Sequence, residues 1–341
     1  MAMALENQAL VMLSTLMTDE SPILSVCILS FNQRDFISVC LDSILNQQTD
    51  FPFEVIVSDD ASTDGTQDVI RDYKVRYPHL KIMLHQKNMG RAGLFNALEC
   101  YASAKGVFLA TFDGDDYMLP GKLQKQVDFM RSRLDYAICG HNVRVVNSSD
   151  DEVLGYMDEG KRIGCGDINA IAKYGTYLGA ASIVYRREWL DLDLFLQLHS
   201  YRLQGDWLLH LIVARHGKVG YIDDVLSVYR KHDAGVTHAD DNDFDKMKAI
   251  LAERLDILEK AKMLGATDLA VDQRASELHF LMAGKYLAAG LYSAFQHHLK
   301  AADKMYPPQN IRNRVFILLR YAPQLLRRVD ILIKFAKRNS F

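Results

Sequence analysis

An acidic cluster follows a short apolar run in the first half of the chain, in the sequence FLATFDGDDYMLP. Three aspartates stand there within four positions: Asp113, Asp115 and Asp116. No basic residue lies between Val107 and Gly121 to offset their mutual repulsion. The cluster is either a solvated acidic turn or a site for Mg²⁺ or Mn²⁺, which prefer carboxylate oxygens and are usually completed by substrate phosphates and water. A bound cation would relieve the repulsion, which favours a metal site.

Two further polar clusters come after apolar runs. Asp59 and Asp60 follow the run EVIVS, where a carboxylate could accept hydrogen bonds from a nucleobase or a ribose hydroxyl. The alternative is that residues 62–64, which are Ser, Thr and Asp, only cap the next helix. Residues 88–96 (NMGRAGLFN) lie between a predicted strand and a predicted helix, where free N–H groups favour anions. Arg91 could reach a diphosphate there, unless the segment is a simple helix cap.

The remaining candidates lie in the second half of the chain. Asp206 begins a predicted helix in the sequence GDW, either as a cap or as a general base beside Trp207. His232 and His238 lie in the sequence YRKHDAGVTH. They are either solvated loop residues or groups that add a metal ligand or contact phosphate.

The elements that must position these residues alternate between strands and helices. Short, branched apolar runs at 23–29, 54–58, 81–85 and 107–112 fit strands that are buried on both faces of a parallel sheet. Apolar residues at helical spacing lie between them, which predicts an α/β doubly wound half through residue 120. Ligands bind at the carboxyl ends of such strands, and the polar clusters, including 30–32 (SFN), follow the apolar runs there.

The later chain is less regular and then becomes helical. Strands are predicted at 135–146, 181–185 and 219–222, with a helix at 205–216. The sequence predicts loops over 147–176, a turn-rich segment at 229–238, and helices from Asp243 onward. The predicted domains are an N-terminal extension (1–20), an α/β domain (21–240) with halves that meet at residue 120, and a helical region (241–341).

Charge is distributed unevenly along the chain, whose net charge of −3 neither favours nor excludes nucleic acid. Residues 311–341 hold eight basic residues and one acid, so they carry +7 and the rest of the chain carries −10. Apolar residues at 325–336 recur at helical spacing, which predicts a basic amphipathic helix that could lie on an anionic membrane. The alternative is a helix that packs on the protein with its charges in water.

Several common classes of protein are disfavoured. The five cysteines are odd in number and form no CxxC, which is typical of a reducing cytosol. No apolar stretch approaches the roughly 18 residues that span a bilayer, and residues 1–20 lack the positive region of a signal peptide. The absence of GxGxxG after the first strand and of GxxxxGK[ST] disfavours a dinucleotide dehydrogenase and a P-loop NTPase.

Taken together, these motifs resemble those of family 2 glycosyltransferases of the GT-A fold. The matching pieces run in the family's order over roughly residues 22–238, and the DGDD-containing block is the most specific. The GDW and YRKH motifs resemble a bacterial subgroup. The resemblance implies an α/β fold with a Rossmann-like, mainly parallel sheet flanked by helices, to which a helical C-terminal appendage is added. It also implies a nucleotide-binding half (21–120) and an acceptor half (121–240).

The resemblance further implies an inverting transferase that uses a nucleotide-diphosphate sugar, with uridine favoured, and Mn²⁺ or Mg²⁺. The residues that match family positions are Phe31 beside the base, Asp60 on uracil or ribose, Asp113 near the ribose, Asp115 and Asp116 at the metal, and Asp206 as the catalytic base. The predicted nucleotide-binding set is completed by Asn32, Asp59, Asn88 and Arg91.

The expected acceptor is a carbohydrate or lipid-linked hydroxyl in bacterial surface polysaccharide or glycolipid synthesis. We expect a cytoplasmic protein whose residues 311–341 contact the inner face of the plasma membrane, with no nucleic acid partner. One alternative is a catalytically silent protein that binds sugar nucleotides or serves as a scaffold. Another is a nucleotidyltransferase, which also pairs acids with a metal but normally has a basic, glycine-rich phosphate loop near its N-terminus.

Overall fold

The computed structural model describes residues 21–90, 93–157, 166–199, 205–232 and 243–325 of the 341-residue chain. The chain divides into two compact units, one of residues 1–167 with 176–235 and one of residues 168–175 with 236–341. The predicted extension at 1–20 and the tail from residue 326 lie outside the described residues. The predicted domain bounds stay predictions.

The first half of the first unit alternates between strands and helices. Its elements are β1 (Leu24–Ser30), α1 (Arg34–Leu45), β2 (Phe53–Asp59), α2 (Thr66–Arg76), β3 (Lys81–Leu84), α3 (Leu94–Ala102) and β4 (Phe108–Asp113). Strands β1, β2 and β4 are almost entirely buried, which explains why their sequences are continuous apolar runs without alternation.

The elements that follow β4 are shorter and more varied. They are β5 (Tyr117–Met118), α4 (Lys122–Arg131), β6 (Tyr136–Asn147), β7 (Val153–Tyr156), α5 (Ile168–Tyr174), β8 (Val184–Arg186), α6 (Leu192–Leu198), α7 (Gly205–Ala214) and β9 (Lys218–Lys231). Two 3₁₀ turns, Ala180–Ser182 and Arg187–Trp189, flank β8. Helix α5 belongs to the second unit, where it packs on a long helix described below.

The nine strands of the described residues form one sheet in the order β3-β2-β1-β4-β8-β6-β9-β5, and β7 pairs with β6. Strands β3, β2, β1 and β4 are parallel, so the prediction of an α/β sheet with helices between its strands is confirmed. Beyond β4 the sheet is mixed, because β8 runs antiparallel to both β4 and β6. Strand β6 is parallel to β9, so β9 points the same way as β4 and its carboxyl end reaches the same edge.

Two sequence predictions in this region are wrong. Residues 147–176 are not all loop, because β7 pairs antiparallel with β6, and α5 buries apolar residues at helical spacing. Strand β9 is much longer than the predicted 219–222 and includes residues 229–231 of the predicted turn-rich segment. The exposed acids Asp223 and Asp224 lie where the β6–β9 register shifts, between Ile222 and Val225, and this irregularity hides the strand pattern.

The second unit is helical, as predicted. Its long elements are α8 (Phe244–Met263), α9 (Asp268–Ala289), α10 (Tyr292–Met305) and α11 (Ile311–Leu318). Side chains cap the starts of three of them: Asp243 at α8, Thr267 at α9 and Asn310 at α11. Gly290 adopts a left-handed conformation at the end of α9, which turns the chain into α10. No helix within the described residues combines the length and the apolar composition that crossing a bilayer requires.

The core of the first unit contains a fully buried lysine, Lys122, at the start of α4. Its ammonium nitrogen donates a 2.7 Å hydrogen bond to Oε1 of Gln126, and Gln126 in turn donates to the carbonyls of Cys139 and Ser182. Burial lowers the pKa of Lys122 to about 7. A lysine in this position costs stability near neutral pH, because burial disfavours the charged ammonium, which the unfolded chain keeps in water.

Replacing Lys122 by Met should therefore raise the free energy of unfolding near pH 7, by about 2 kcal/mol after the loss of the Gln126 hydrogen bond. The gain should shrink as pH rises from about 7 towards the unfolded lysine pKa of about 10.4, because the wild-type lysine then becomes neutral in both states. Urea unfolding at several pH values measures the difference. Lys125→Met, whose wild-type side chain is half exposed and paired with Asp224, is the control and should show no such slope. A pH-independent Lys122→Met effect would contradict the prediction.

Candidate active site

The loops that follow β1 and β2 are joined to each other by side-chain hydrogen bonds. The backbone N–H of Asn32 donates to Oγ of Ser62 at 2.8 Å, and Oδ1 of Asn32 accepts from the backbone N–H of Thr63 at 2.9 Å. Asn32 and Ala61 both have positive φ angles, of 52° and 61°. Non-glycine residues hold that conformation only when their surroundings fix it, so these loops form a rigid edge.

This edge presents an aromatic ring and a buried carboxylate. Phe31 exposes 49% of its surface directly after β1, where a flat ring is available for stacking. Asp60 is buried, and its Oδ1 accepts a 2.6 Å hydrogen bond from the backbone N–H of Met89. Nδ2 of Asn88 donates to the carbonyl of Asp60 at 3.1 Å. Asp60 and Asn88 therefore tie the loop after β3 to the loop after β2.

Asp59 is fully buried, and its carboxylate bonds to its own loop and to the first turn of α2. Oδ1 accepts from the backbone N–H of Ser62 at 2.9 Å and from Nε2 of Gln67 at 2.8 Å, and Oδ2 accepts from Oγ of Ser62. This geometry makes Asp59 a support for the loop that carries Asp60. The neighbouring Asp64 has the capping contacts expected from its type, because Oδ1 accepts from the backbone N–H and the hydroxyl of Thr66.

The three aspartates after β4 converge. One carboxylate oxygen each from Asp113, Asp115 and Asp116 lie within 4.8 Å of one another. Burial, followed by the charges of Asp115 and Asp206, raises the pKa of Asp113 to about 8. Burial is also the first cause of the raised pKa of Asp116, and the charges of Asp115 and Asp113 add to it.

The residues of this cluster fit a divalent cation. Oxygens on opposite sides of Mg²⁺ are about 4.2 Å apart, so small side-chain rotations would bring the three carboxylates to ligand distance. Oδ2 of Asp116 is buried and has no hydrogen-bond partner among the described residues. A buried carboxylate oxygen without a partner is costly, and a cation would satisfy it.

Gly114 allows the acidic turn to pack tightly against β1 and α1. A Cβ atom there would lie 2.4 Å from Oε1 of Gln33 and 2.8 Å from Cδ1 of Ile37. The backbone N–H of Gly114 also donates to the carbonyl of Leu29 at the end of β1. This close approach fixes the acidic cluster next to the loop that carries Phe31.

The carboxyl end of β9 holds the acidic cluster from the other side. Nε2 of His232 lies 2.9 Å from Oδ2 of Asp115. The backbone N–H of Arg230 donates to Oδ1 of Asp116, and its guanidinium donates to the carbonyl of Asp115, both at 3.0 Å. These three contacts follow from the strand directions, because β9 and β4 end at the same edge.

Arg230 is a site residue to which sequence analysis assigned no role. Its guanidinium carbon lies 4.5 Å from the ring centre of Tyr117 and 5.6 Å from that of Phe36, and the ring of His232 stacks on Phe36 at 5.2 Å. The charge of Arg230 lowers the pKa of Asp116, in opposition to burial. The only sequence feature that could have indicated its role is its position in the YRKH motif, two residues before His232.

Asp206 lies in the first turn of α7 and its charge reaches Asp113. Its side chain is exposed, yet surrounding protein displaces enough bulk water to raise the pKa of its carboxyl group. Because the side chain is exposed, an acceptor can reach the carboxylate. The protein packed around it determines only the direction of its pKa shift. Asp206, Asp113 and Asp115 thus share one electrostatic environment. The predicted site residues Arg91 and His238 lie outside the described residues.

Comparison with known proteins identifies the family. The glycosyl transferase family 2 model matches residues 25–190. TuaG of Bacillus subtilis, a putative teichuronic acid biosynthesis glycosyltransferase, is 37% identical over 224 residues, which are 63% of this chain and 81% of TuaG. The chain belongs to glycosyl transferase family 2. The resemblance inferred from its motifs is therefore confirmed.

Other matches of this family 2 chain are more distant or less complete. An uncharacterized protein of Mycobacterium tuberculosis is 33% identical over 218 residues, and the match spans 61% of that relative's length. The crystal structure of S. aureus TarS 1–349 in complex with UDP-GlcNAc matches with a TM-score of 0.60 at 18% identity, covering 89% of this chain and 88% of TarS 1–349. The structural likeness confirms the α/β fold with its helical C-terminal region.

Proposed function

We propose that this chain is an inverting glycosyltransferase that moves a sugar from a nucleotide-diphosphate sugar to a hydroxyl acceptor. The observation that carries the proposal is the convergence of Asp113, Asp115 and Asp116 at one edge of the sheet, where the charge of Asp206 reaches Asp113. Three carboxylates suit a divalent cation, and a fourth, exposed carboxylate suits a proton acceptor. Membership of family 2 supports the same reaction.

The nucleotide would bind along the loops after β1, β2 and β3. Phe31 would stack on the base, and Asp60 would accept hydrogen bonds from the base or the ribose. Asn32, Asp59 and Asn88 would keep these loops in place through their own hydrogen bonds. Arg91 stays a predicted diphosphate contact. We favour a uridine donor as the first to test, since TarS, which shares the fold, was crystallised with UDP-GlcNAc.

Asp115 and Asp116 would hold Mn²⁺ or Mg²⁺, with Asp113 on the nucleotide side and His232 beside Asp115. A divalent cation bound there supplies Lewis-acid neutralisation of the departing diphosphate. Asp206 would take the proton from the acceptor hydroxyl as that oxygen attacks the anomeric carbon. Its raised pKa makes it a stronger base than an ordinary carboxylate. One displacement of this kind inverts the anomeric configuration and needs no covalent nucleophile.

The acceptor we propose is a hydroxyl of a bacterial surface polysaccharide or of a lipid-linked precursor. The support is the similarity to TuaG, whose name assigns it to teichuronic acid biosynthesis.

A thermal-shift screen of UDP-, GDP- and dTDP-sugars with Mn²⁺, followed by product analysis with candidate acceptors, tests the proposal. We expect one nucleotide class to raise the melting temperature only with the cation, and the acceptor to increase release of the nucleoside diphosphate. Release of a sugar phosphate in place of the nucleoside diphosphate would instead indicate nucleotidyl transfer. Stabilisation by the donor without any acceptor-dependent release would indicate a binding or scaffold protein, and either result would overturn the proposal.

A further inference from the structure

The last part of the described chain exposes large apolar side chains. Ile311, Leu318 and Tyr321 expose 80%, 78% and 81% of their surface, and Leu325 exposes 53%. Single exposed apolar residues are common, but a group of them within fifteen positions is not, because exposed apolar area has a solvation cost. This group begins at α11 and continues towards the basic tail.

Helix α11 is fixed in the second unit by one face only. Asn313 and Phe316 are buried, and the ring of Phe316 lies 5.8 Å from that of Phe295 on α10. Ile311, Val315 and Leu318 fall within about 60° of arc on the opposite face, since each residue advances the helix by about 100°. The helix is therefore held in place by its inner face while it presents an apolar outer stripe.

Basic residues accompany this stripe. Arg314 lies on one side of it and donates a hydrogen bond to the carbonyl of Pro308, and Arg320 follows the helix, with its Nη1 3.5 Å from Oδ2 of Asp303. The sequence then continues with Arg327, Arg328, Lys334, Lys337 and Arg338 against the single acid Asp330. Apolar side chains between basic ones are typical of segments that lie in the headgroup region of a membrane.

A second copy of this chain is a less suitable partner for the apolar stripe of α11 than a membrane is. A symmetric contact would bring two copies of residues 311–325 together, each with three arginines and no acid, and like charges repel. An anionic bilayer attracts the same charges, at about 1 kcal/mol for each basic residue near its surface. Charge complementarity therefore selects the membrane.

We propose that α11 and the residues that follow it as far as Leu325 bind the surface of an anionic membrane. The outer stripe of α11 would enter the headgroup region, and the basic residues would contact lipid phosphates. This inference goes beyond the proposed function and does not depend on it, since it uses no residue of the candidate active site. It would place the enzyme where lipid-linked acceptors are found.

Flotation of the full chain with vesicles tests this proposal. The vesicles contain phosphatidylcholine alone, or phosphatidylcholine with roughly one third phosphatidylglycerol. We expect flotation with the anionic vesicles only, and a marked decrease between about 0.1 M and about 0.5 M salt, because salt screens the attraction. The variant Ile311→Ser/Leu318→Ser should bind about tenfold more weakly or worse, since it removes the apolar contacts.

The matched control is Met263→Ser/Leu269→Ser, which replaces two apolar residues of the same unit that expose 76% and 58% of their surface. Leu269 lies about 22 Å along α9 from Gly284, the residue that faces Arg312 and Phe316. This control should float like wild type, and both variants should keep wild-type donor binding. Equal flotation of wild type and both variants would overturn the proposal. Equal flotation of the wild-type protein with neutral and with anionic vesicles would also overturn it. So would light scattering that shows a dimer of the wild-type chain, if the α11 variant loses that dimer but still floats.

Discussion

Replacing Asp206 by Asn should reduce turnover by roughly 10²–10⁴-fold, the range that general base catalysis contributes, while the donor binds almost normally. The asparagine side chain has nearly the same shape, but it cannot accept the acceptor's proton. Asp206 lies in the first turn of α7 with an exposed side chain, so we expect little change in stability. Acceptor-dependent release of nucleoside diphosphate measures turnover, and titration calorimetry measures donor affinity.

A second surface aspartate provides the control for this experiment. Asp193 is also exposed and lies in the first turn of a helix, α6, but its charge is not among those that shift the pKa of Asp113. Asp193→Asn should keep wild-type turnover. Near-normal turnover in Asp206→Asn would remove Asp206 from the reaction, and an equal loss in both variants would point to an indirect effect.

Replacing Asp115 by Ala should abolish cation-dependent nucleotide binding. We expect the apparent affinity for Mn²⁺ to fall by more than about 100-fold, because even an outer partner of a metal ligand contributes 10–100-fold. Stability without the cation should stay the same or increase, since the charge of Asp115 opposes the ionisation of Asp113 and Asp116. Loss of binding can therefore be separated from loss of folding. Calorimetry with Mn²⁺, with and without UDP, gives the affinities, and thermal unfolding gives the stability.

Asp224→Ala is the matched variant, since it removes a half-exposed aspartate of the same unit that pairs with Lys125. It should bind Mn²⁺ and nucleotide like wild type. Unchanged Mn²⁺ affinity in Asp115→Ala would contradict the metal site and favour the alternative interpretation, an acidic turn without a cation. His232→Asn should give an intermediate loss, because His232 contacts Asp115 and can add a ligand of its own.

Strands β1, β2 and β4 and their parallel arrangement could be predicted from the sequence, because strands buried on both faces have to be apolar throughout. Runs such as ILSVCIL and VFLATF cannot form a half-exposed edge, and helical spacing between them requires parallel crossovers. Parallel strands bring their carboxyl ends together, so Phe31, Asp60 and Asp113 could be assigned to one edge. The full length of strand β9 was not predicted, because two exposed acids interrupt its apolar pattern where its register with β6 shifts.

Tertiary structure alone decided which role each polar residue of the site has. Asp59 and Asp60 are neighbours with the same side chain, yet Asp59 bonds to its own loop and the start of α2, whereas Asp60 bonds to the loop after β3. Arg230 and Asp116 are 114 residues apart, and they meet only because β9 runs parallel to β6 and ends beside β4. The sequence determined which chemical groups are present and which end of the sheet carries them, because local patterns fix strands and their direction. Which carboxylate supports a loop and which stays open to a cation depends on long-range contacts that no local pattern contains.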